Sequence, residues 1–506
     1  MCGSYKSFLK DSRVTGIFIA LPLICLLLLN APPAVAETYV AGRVSGHWYL
    51  IDSPFYVEET IWIDASDTLV IHDNVEVLFL AEDTLIAYGT LITEVPDKGR
   101  VIFSEVTGSP KHWAGIYFNG PSSSNSLLQY SKITQVQDGV IVTNSNPRIE
   151  YNYIEPLRNG IHSYFANPTI IADTVHVDST NLLPQIAAGI FLQFCTGRVQ
   201  IEGCYIDIYV SNDDYPVSAY GVRSINSSVH LSHNILHVAA KNKAIGIYLE
   251  SSFADTIDHN EVVVSSKSAY SLGALTQYFS NSSLIHNNTF KVQSLFKDFT
   301  VTFDDCQVIQ LLNNIIVGDG SSVGVATDNP TSVLIRYNDI FNHSTPVQNA
   351  NLDNTNILVD PLFLFLEPDS VYQLAANSPC IDRGSPDPYY NDPDGTRNDM
   401  GAYYHYQPLQ QILPPALQPM EYYSLNCFPN PTNNSSMISF TLDSKTFVEL
   451  KVFDVAGSLR YELIRGFMDS GTYNLPLDLS HCASGVYFVR LSSPQGAEIR
   501  KILLLK

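Results

Sequence analysis

The sequence predicts an all-β chain, a long solenoid of short parallel strands followed by a small antiparallel β-sandwich, on three observations. A six-residue phrase returns at steps of 21 to 31 residues. A glycine followed by a branched apolar residue returns in time with it. From Cys427 onward the pattern changes to alternating strands separated by turn signals.

The phrase reads apolar, two variable residues, a small polar residue, one variable residue, apolar. Ile149 to Ile154 is one copy, marked by Asn152, and later copies are marked by Asn234, Asn260, Asn288, Asn314 and Asn338. Ser131, Asp173 and Cys204 hold the same place in degenerate copies. Strands this short and β-branched, repeating at this period with no helical pattern, describe a solenoid in which each strand lies parallel to its counterpart one coil on. At ~4.8 Å per coil, roughly ten coils make a rod on the order of 50 Å long. The marked position breaks the in-and-out alternation, so it is a bend. Asn tolerates left-handed backbone there and its amide reaches the Asn of the next coil, which makes the six asparagines a structural ladder.

The second phrase falls at Gly115-Ile116, Gly139-Val140, Gly160-Ile161, Gly189-Ile190, Gly221-Val222, Gly246-Ile247 and Gly324-Val325, with Gly273-Ala274 as a weaker copy. Each coil therefore carries at least two strands.

At the start, Lys6, Lys10 and Arg13 precede an apolar run from Ile17 to Leu29 and then Ala34-Val35-Ala36, the order of a secretory signal peptide occupying residues 1–36. The run is shorter than the ~20 residues a spanning helix needs, so no membrane span is expected in the mature chain. Cys25 lacks the small neighbours of a lipidated cysteine. The formal charge is −22. An acidic field of that size argues against nucleic acid as a partner and is compatible with bound cations.

Six cysteines follow the leader, scattered and without CxxC spacing, which disfavours structural zinc. Cys427 with Cys482 is the expected bridge, since both lie in the last domain. Between them and the solenoid, residues 406–426 are rich in Pro and Gln and read as a linker.

On these repeats, with the opening Thr68-Leu69-Val70-Ile71-His72-Asp73-Asn74-Val75 and the later Tyr88-Gly89-Thr90-Leu91-Ile92, residues 37–405 resemble the right-handed parallel β-helix repeat family, the pectate-lyase-like superfold. That superfold hosts lyases, hydrolases, epimerases and adhesins, so the resemblance implies a fold and not an activity. Asn377 to Asp382 and Asn391 to Tyr403 look like the terminal cap of such proteins, expected to end the stack.

Residues 427–506 carry Phe428-Pro429-Asn430-Pro431, Val452-Phe453-Asp454-Val455-Ala456-Gly457, Gly485-Val486-Tyr487-Phe488-Val489-Arg490 and the final Lys501-Ile502-Leu503-Leu504-Leu505-Lys506. In that order they resemble the type A sorting domain of type IX secretion. The resemblance implies that Gly485, Val486, Tyr487, Lys501 and Lys506 form a sorting signal read by the secretion machinery. It also implies a protein secreted from, or held on the outer surface of, a Gram-negative bacterium.

Several residues are candidates for chemistry. Asp392, Asp394, Asn398 and Asp399 are oxygen ligands spaced somewhat like a calcium loop, with Gly395 for the turn, though without the distal Glu of an EF-hand; a hydrogen-bonded cap turn is the alternative. Asp213-Asp214 and Asp304-Asp305 are the carboxylate pairs a glycoside hydrolase would use, but neighbours on a strand face opposite ways, so a working pair needs a bend or a partner from the next coil. Arg148, Arg198, Arg223 and Arg336 could supply a lyase base or make salt bridges. His233, His259 and His286 fall beside ladder positions in three successive coils and are expected to stack along one edge. Tyr117, Tyr153, Tyr164, Tyr205 and Tyr248 near strand ends offer either a sugar-stacking surface or core filling. Two functions remain: a non-catalytic rod for glycan binding or adhesion, which the missing enzyme signatures favour, and a lyase or hydrolase acting on an acidic polysaccharide.

Overall fold

The computed structural model describes residues 37–407 and 425–506, apart from residues 97–98, 109–111, 180–185, 212–217, 267–271, 294–298, 329–331, 365–371, 443, 456–457 and 494–495. The expected signal peptide and most of the expected linker therefore lie outside the described residues.

Residues from Thr38 to Gln348 wind into a parallel β-helix of three strand positions per coil. Sheet one is a ladder of twelve short strands, including Arg148–Glu150, Arg198–Glu202 and Thr256–Asp258. A sharp turn leads to sheet two, for example Tyr205–Val210 and Ile235–Ala240. A looser bend leads to sheet three, for example Ser218–Ile225 and Lys243–Glu250, and a second sharp turn returns to sheet one. The strand pairings along the rod are parallel and, apart from shifts near Val40 and Val136, in continuous register, so like stacks on like. Ile154, Val175, Ile206, Leu236, Val262 and Phe290 are successive partners on the inward side of sheet two, and all are buried. Continuous apolar stacks of this kind form the core.

The amide ladder is present. Asn260 Oδ1 accepts from both Asn234 N–H at 3.0 Å and Asn234 Nδ2 at 2.8 Å, and the pattern repeats through Asn288, Asn314 and Asn338. It ends one rung later than the sequence phrase, on Asn356, which accepts from Asn338 Nδ2 at 3.1 Å. The left-handed residue, however, is the one before each ladder position. Tyr130, Tyr151, Ala172, His233, His259, Asn287, Asn313 and Tyr337 have φ between 47° and 59°, with Gly203 at 68°. That residue projects outward at the corner while the ladder amide turns in.

The glycines of the second phrase sit where the chain bends into sheet three. A Cβ at Gly139, Gly160, Gly189 or Gly221 would lie 2.5 to 2.7 Å from the carbonyl oxygen of the glycine one coil on. Only glycine allows that approach. In the next coil the phrase shifts by one residue: Leu275 pairs with Ile247, so Ala274 and not Gly273 stands in the glycine's place.

The closing segment does more than end the stack. Residues 372–407 run back along the outward side of sheet two and the corner beside it. Leu374, Cys380 and Met400 pack on Ile315 and Val317, Asn287 Nδ2 donates to Asn398 Oδ1 at 3.1 Å, and Ser385 N–H donates to Asn313 Oδ1 at 2.7 Å.

Residues 426–504 form a sandwich. A three-stranded sheet joins Asn426–Phe428, Ser435–Leu442 and Gly471–Asp478, and a four-stranded sheet joins Leu459–Met468, Thr446–Asp454, Gly485–Ser493 and Gly496–Leu504, all antiparallel. Cys427 and Cys482 are not bridged, which corrects the expected disulfide. Cys427 lies in the three-stranded sheet opposite Ile438, whereas Cys482 Sγ lies 3.3 Å from the Tyr461 hydroxyl of the other sheet. Burial pushes the Cys427 thiol up to about 11.

Candidate functional site

The outward side of sheet three gathers aromatic and basic side chains in contact with one another. His162, Phe191, Arg223 and Tyr248 are in-register partners on four successive coils. The His162 and Phe191 rings stack with centroids 4.8 Å apart and planes 9° from parallel, and the Arg223 guanidinium carbon lies 4.6 Å from the Phe191 centroid. Lys243 brings its ammonium within 5.6 and 5.8 Å of the Tyr220 and Tyr248 rings. Three coil steps of ~4.8 Å make this strip about 15 Å long.

Its electrostatics follow from partial burial. Burial lowers the His162 imidazole, so the ring is neutral at pH 7 and stacks as an apolar plate. Burial, together with the hydrogen bond to Glu250 at 2.9 Å, holds the Tyr248 phenol well above its ordinary value. Arg223 Nε is buried without a hydrogen-bond partner, an orphaned donor beside three aromatic faces. A buried donor of this kind costs free energy unless a ligand or water takes it up.

Farther along the same side, Asp304 is the in-register partner of Asp328 and of Tyr278. The sequence pair Asp304-Asp305 is split, because Asp305 takes left-handed backbone at the corner with φ 50°. The partner Asp304 acquires comes from the next coil. Reading adjacent residues missed Asp328, which the repeat period alone would have found. Asp213 and Asp214 lie outside the described residues.

The other arginines have structural partners. Arg148 bonds Glu150 at 2.5 Å, Arg336 bonds Asp353 at 3.1 Å, and Arg198 reaches the Val229 carbonyl at 3.4 Å and the Thr256 hydroxyl. Of the tyrosines, Tyr248 alone joins the strip; Tyr117 and Tyr164 belong to the same sheet nearer the start, and Tyr153 and Tyr205 face outward on sheet two.

The histidine row forms at the corner between sheets one and two. His233 and His259 stack at 4.9 Å and 3°, and His286 meets His259 edge-on at 5.8 Å. Asp258 accepts from His230 and His259 at 3.0 Å each. Burial and the neighbouring His259 lower His233 to about 4.

The cap carboxylates act as staples. Asp392 accepts from Asn398 Nδ2 at 3.2 Å and from Asp399 N–H at 2.9 Å. Asp399 accepts from the N–H groups of Asp382 at 2.7 Å and His405 at 2.6 Å, and Asp394 accepts from Thr396 at 3.0 and 2.6 Å and from Gln407 at 2.8 Å. Their oxygens turn to different backbone donors instead of to one point. Burial, and for Asp392 also the Asp399 charge, raises both carboxyls.

In the sandwich the separate sequence motifs become neighbours. Gly485, Val486 and Tyr487 pair with Leu504, Leu503 and Ile502, Asp454 pairs with Tyr487, and Asn430 clamps the last strand by accepting from Leu503 N–H at 2.9 Å. Lys501 and Lys506 are exposed, and the Lys506 N–H donates to Ser484 Oγ at 3.0 Å.

Rod and tail together define an exported parallel β-helix protein that carries its own sorting domain. Residues 426–505 match the family described as secretion system C-terminal sorting domain, the type IX tail, and residues 98–297 match the β-helix family described as periplasmic copper-binding protein (NosD). No curated protein matches the chain. Among solved structures, a complex of XylC with xylose is 11% identical with a TM-score of 0.31, covering 88% of this chain and 68% of that one. The enzymatically active domain of bacteriophage CBA120 tailspike protein 4 is 12% identical with a TM-score of 0.18, covering 88% and 64%.

Copper is not fitted by these residues. Among the described residues no three His, Cys, Asp or Glu side chains gather to hold a metal ion. His233 and His259 stack face to face, so their in-plane lone pairs lie in parallel planes and do not converge, and the other close pair, His47 and His72, spends its facing nitrogens on a mutual hydrogen bond at 3.0 Å. No helix among the described residues is long and apolar enough to cross a membrane.

Proposed function

We propose that this exported protein binds glycan along the outward side of sheet three, at the outer surface or in the medium to which its sorting domain delivers it. The observation that supports this reading is the in-register strip of His162, Phe191, Arg223 and Tyr248. The His162 and Phe191 faces stack on one another and under Arg223, so the strip turns ring edges outward to the apolar side of a sugar, and the unpartnered Arg223 donor with Lys243 suits the carboxylate of an acidic sugar. Calcium is left to the cap only as a variable of the assay, because the aspartates there are engaged with backbone donors.

The test is retention of the purified protein on acidic and neutral polysaccharides, with and without calcium, while released reducing ends and unsaturated products are recorded. Retention on acidic polymers that falls at least tenfold in Arg223→Ala and Tyr248→Ala supports the reading; equal retention of both variants and the parent sinks it.

A catalytic reading is favoured by one feature, the Asp304 and Asp328 pair one strand spacing apart on the same side. Product formation abolished by Asp304→Asn and by Asp328→Asn would make the protein a glycoside hydrolase. Unsaturated product would instead make it a lyase.

A further inference from the structure

The left-handed corner residues between sheets one and two form a column on the outside of the rod, and that column has a gap. Tyr130 and Tyr151 stack at 5.1 Å and 6°, and His233 and His259 stack at 4.9 Å and 3°. The two coils between them carry Ala172 and Gly203 in the same left-handed place. Two small residues in succession leave a notch two coils wide, walled by rings at both ends.

The sorting domain fills that notch. Phe467 stands edge-on to His233 with centroids 5.0 Å apart, and its Cδ2 lies 3.5 Å from where a Cβ on Gly203 would be. The Arg465 guanidinium carbon lies 5.5 Å from the centre of the Tyr205 ring. Lys445 bonds Glu202 at 2.6 Å, an acidic partner on the coil that carries Gly203. A cavity of about 330 Å³ remains between the two bodies, walled by Tyr151, Tyr153, His176 and Tyr205 on the rod and by Phe447 and Phe467 on the sandwich.

We propose that the notch at Ala172 and Gly203 is a seat for the strand Leu459–Met468 of the sorting domain, so that rod and tail travel as one docked body. A ring at 172 or 203 would continue the column and close the seat. Both bodies belong to one chain, so docking is intramolecular and a small contact suffices to hold it. Undocking uncovers the rings of Tyr151, Tyr205 and His233 on a side of the rod separate from the strip on sheet three.

The experiment is a charge swap read by small-angle scattering and by the rate of protease cleavage within residues 408–424 of the full chain. Lys445→Glu and Glu202→Lys, each alone, are expected to enlarge the radius of gyration and to speed cleavage several-fold. The double variant Glu202→Lys with Lys445→Glu is expected to restore both readings, and Phe467→Ser to abolish docking without rescue. Circular dichroism of each variant shows whether the folded content is intact, and the swap separates lost contact from lost fold. The proposal is overturned if the parent already scatters as two uncorrelated bodies, or if the single and double variants cleave at the parent's rate.

Discussion

Asn288 Oδ1 accepts two hydrogen bonds from Asn260, one from its backbone N–H and one from its side-chain amide, each at 2.9 Å, in a corner from which water is excluded. One amide oxygen thus satisfies two donors of the preceding coil, while Asn288 Nδ2 reaches back to the Ile257 carbonyl at 2.8 Å. Replacing Asn288 by Ala orphans the Asn260 N–H, takes one acceptor from Asn260 Nδ2, which keeps the Leu231 and Asp258 carbonyls, and removes the three bonds that Asn288 Nδ2 donates to Ile257, His286 and Asn314. Each unsatisfied buried group costs about 1–3 kcal/mol, so Asn288→Ala is expected to destabilise the rod by about 3 kcal/mol or more. Urea unfolding checks this, and a loss under 1 kcal/mol would mean the ladder is ornamental.

The ladder was legible because it obeys the coil period, and so was the four-stranded sheet of the tail, since its strands alternate; of the three-stranded sheet only the strand around Met437 to Leu442 was legible. What stayed hidden is lateral. Nothing local tells Asp304 that its neighbour is Asp328, or Arg223 that Phe191 lies beneath it, because both partners arrive from another coil. Assigning left-handed backbone to the Asn itself was off by one residue. The sequence signals the bend by its polar residue, but the sharp torsion falls on the residue before it, where Tyr, Ala, Gly, His and Asn all occur. The cap was recognised by its turn residues, yet its course along sheet two depends on Ile315, Val317 and Glu261, which look like any other strand positions.

Asp173 occupies a ladder rung without an amide. It is fully buried; its Oδ1 accepts from Asn152 N–H at 2.7 Å and from Asn152 Nδ2 at 2.9 Å, and its Oδ2 has no partner. Burial raises its carboxyl to about 8. The folded state therefore holds a proton that the unfolded chain releases near pH 3.9, so stability falls as pH rises from about 4 to about 8. Asp173→Asn supplies a permanent neutral amide. It is expected to be neutral below pH 4 and to stabilise increasingly above it, by up to about 1.4 kcal/mol per pH unit, reaching a few kcal/mol at pH 8. Melting curves of parent and variant at pH 4, 6 and 8 decide the matter; a constant difference across that range contradicts the buried neutral acid.

The bend glycines predict a contrast between two superficially equal substitutions. A Cβ at Gly221 would meet the Gly246 carbonyl oxygen at 2.5 Å and Leu236 Cδ2 at 2.8 Å, a backbone collision inside the stack. At Gly273 the near atom is Thr276 Oγ1, at 2.5 Å, which belongs to a side chain. Gly221→Ala is expected to cost about 2 kcal/mol or more through overpacking, and Gly273→Ala under about 1 kcal/mol. Thermal midpoints of the two variants, measured side by side, should separate clearly, and equal midpoints would refute the close coil approach.

Glu261 fastens the returning segment to the rod. It is 1% exposed, accepts from Tyr372 N–H at 2.8 Å, and takes a hydrogen bond from the Tyr403 hydroxyl, whose phenol burial and this carboxylate raise well above its usual value. His237 Nε2 lies 3.6 Å away. Removing the carboxylate takes this acceptor from the Tyr372 N–H and from the Tyr403 hydroxyl on the cap side, whereas Gln keeps an oxygen for one of them. Glu261→Ala is expected to release the segment, with faster protease cleavage between residues 361 and 407 and a loss of about 3 kcal/mol; Glu261→Gln should fall between it and the parent. The cap also buries Ile315 and Val317, so its release exposes apolar strand surface and turns a local change into a tendency to self-associate. Light scattering of Glu261→Ala would register that. A variant that scatters light and resists protease like the parent would show that the apolar contacts hold the cap without the carboxylate.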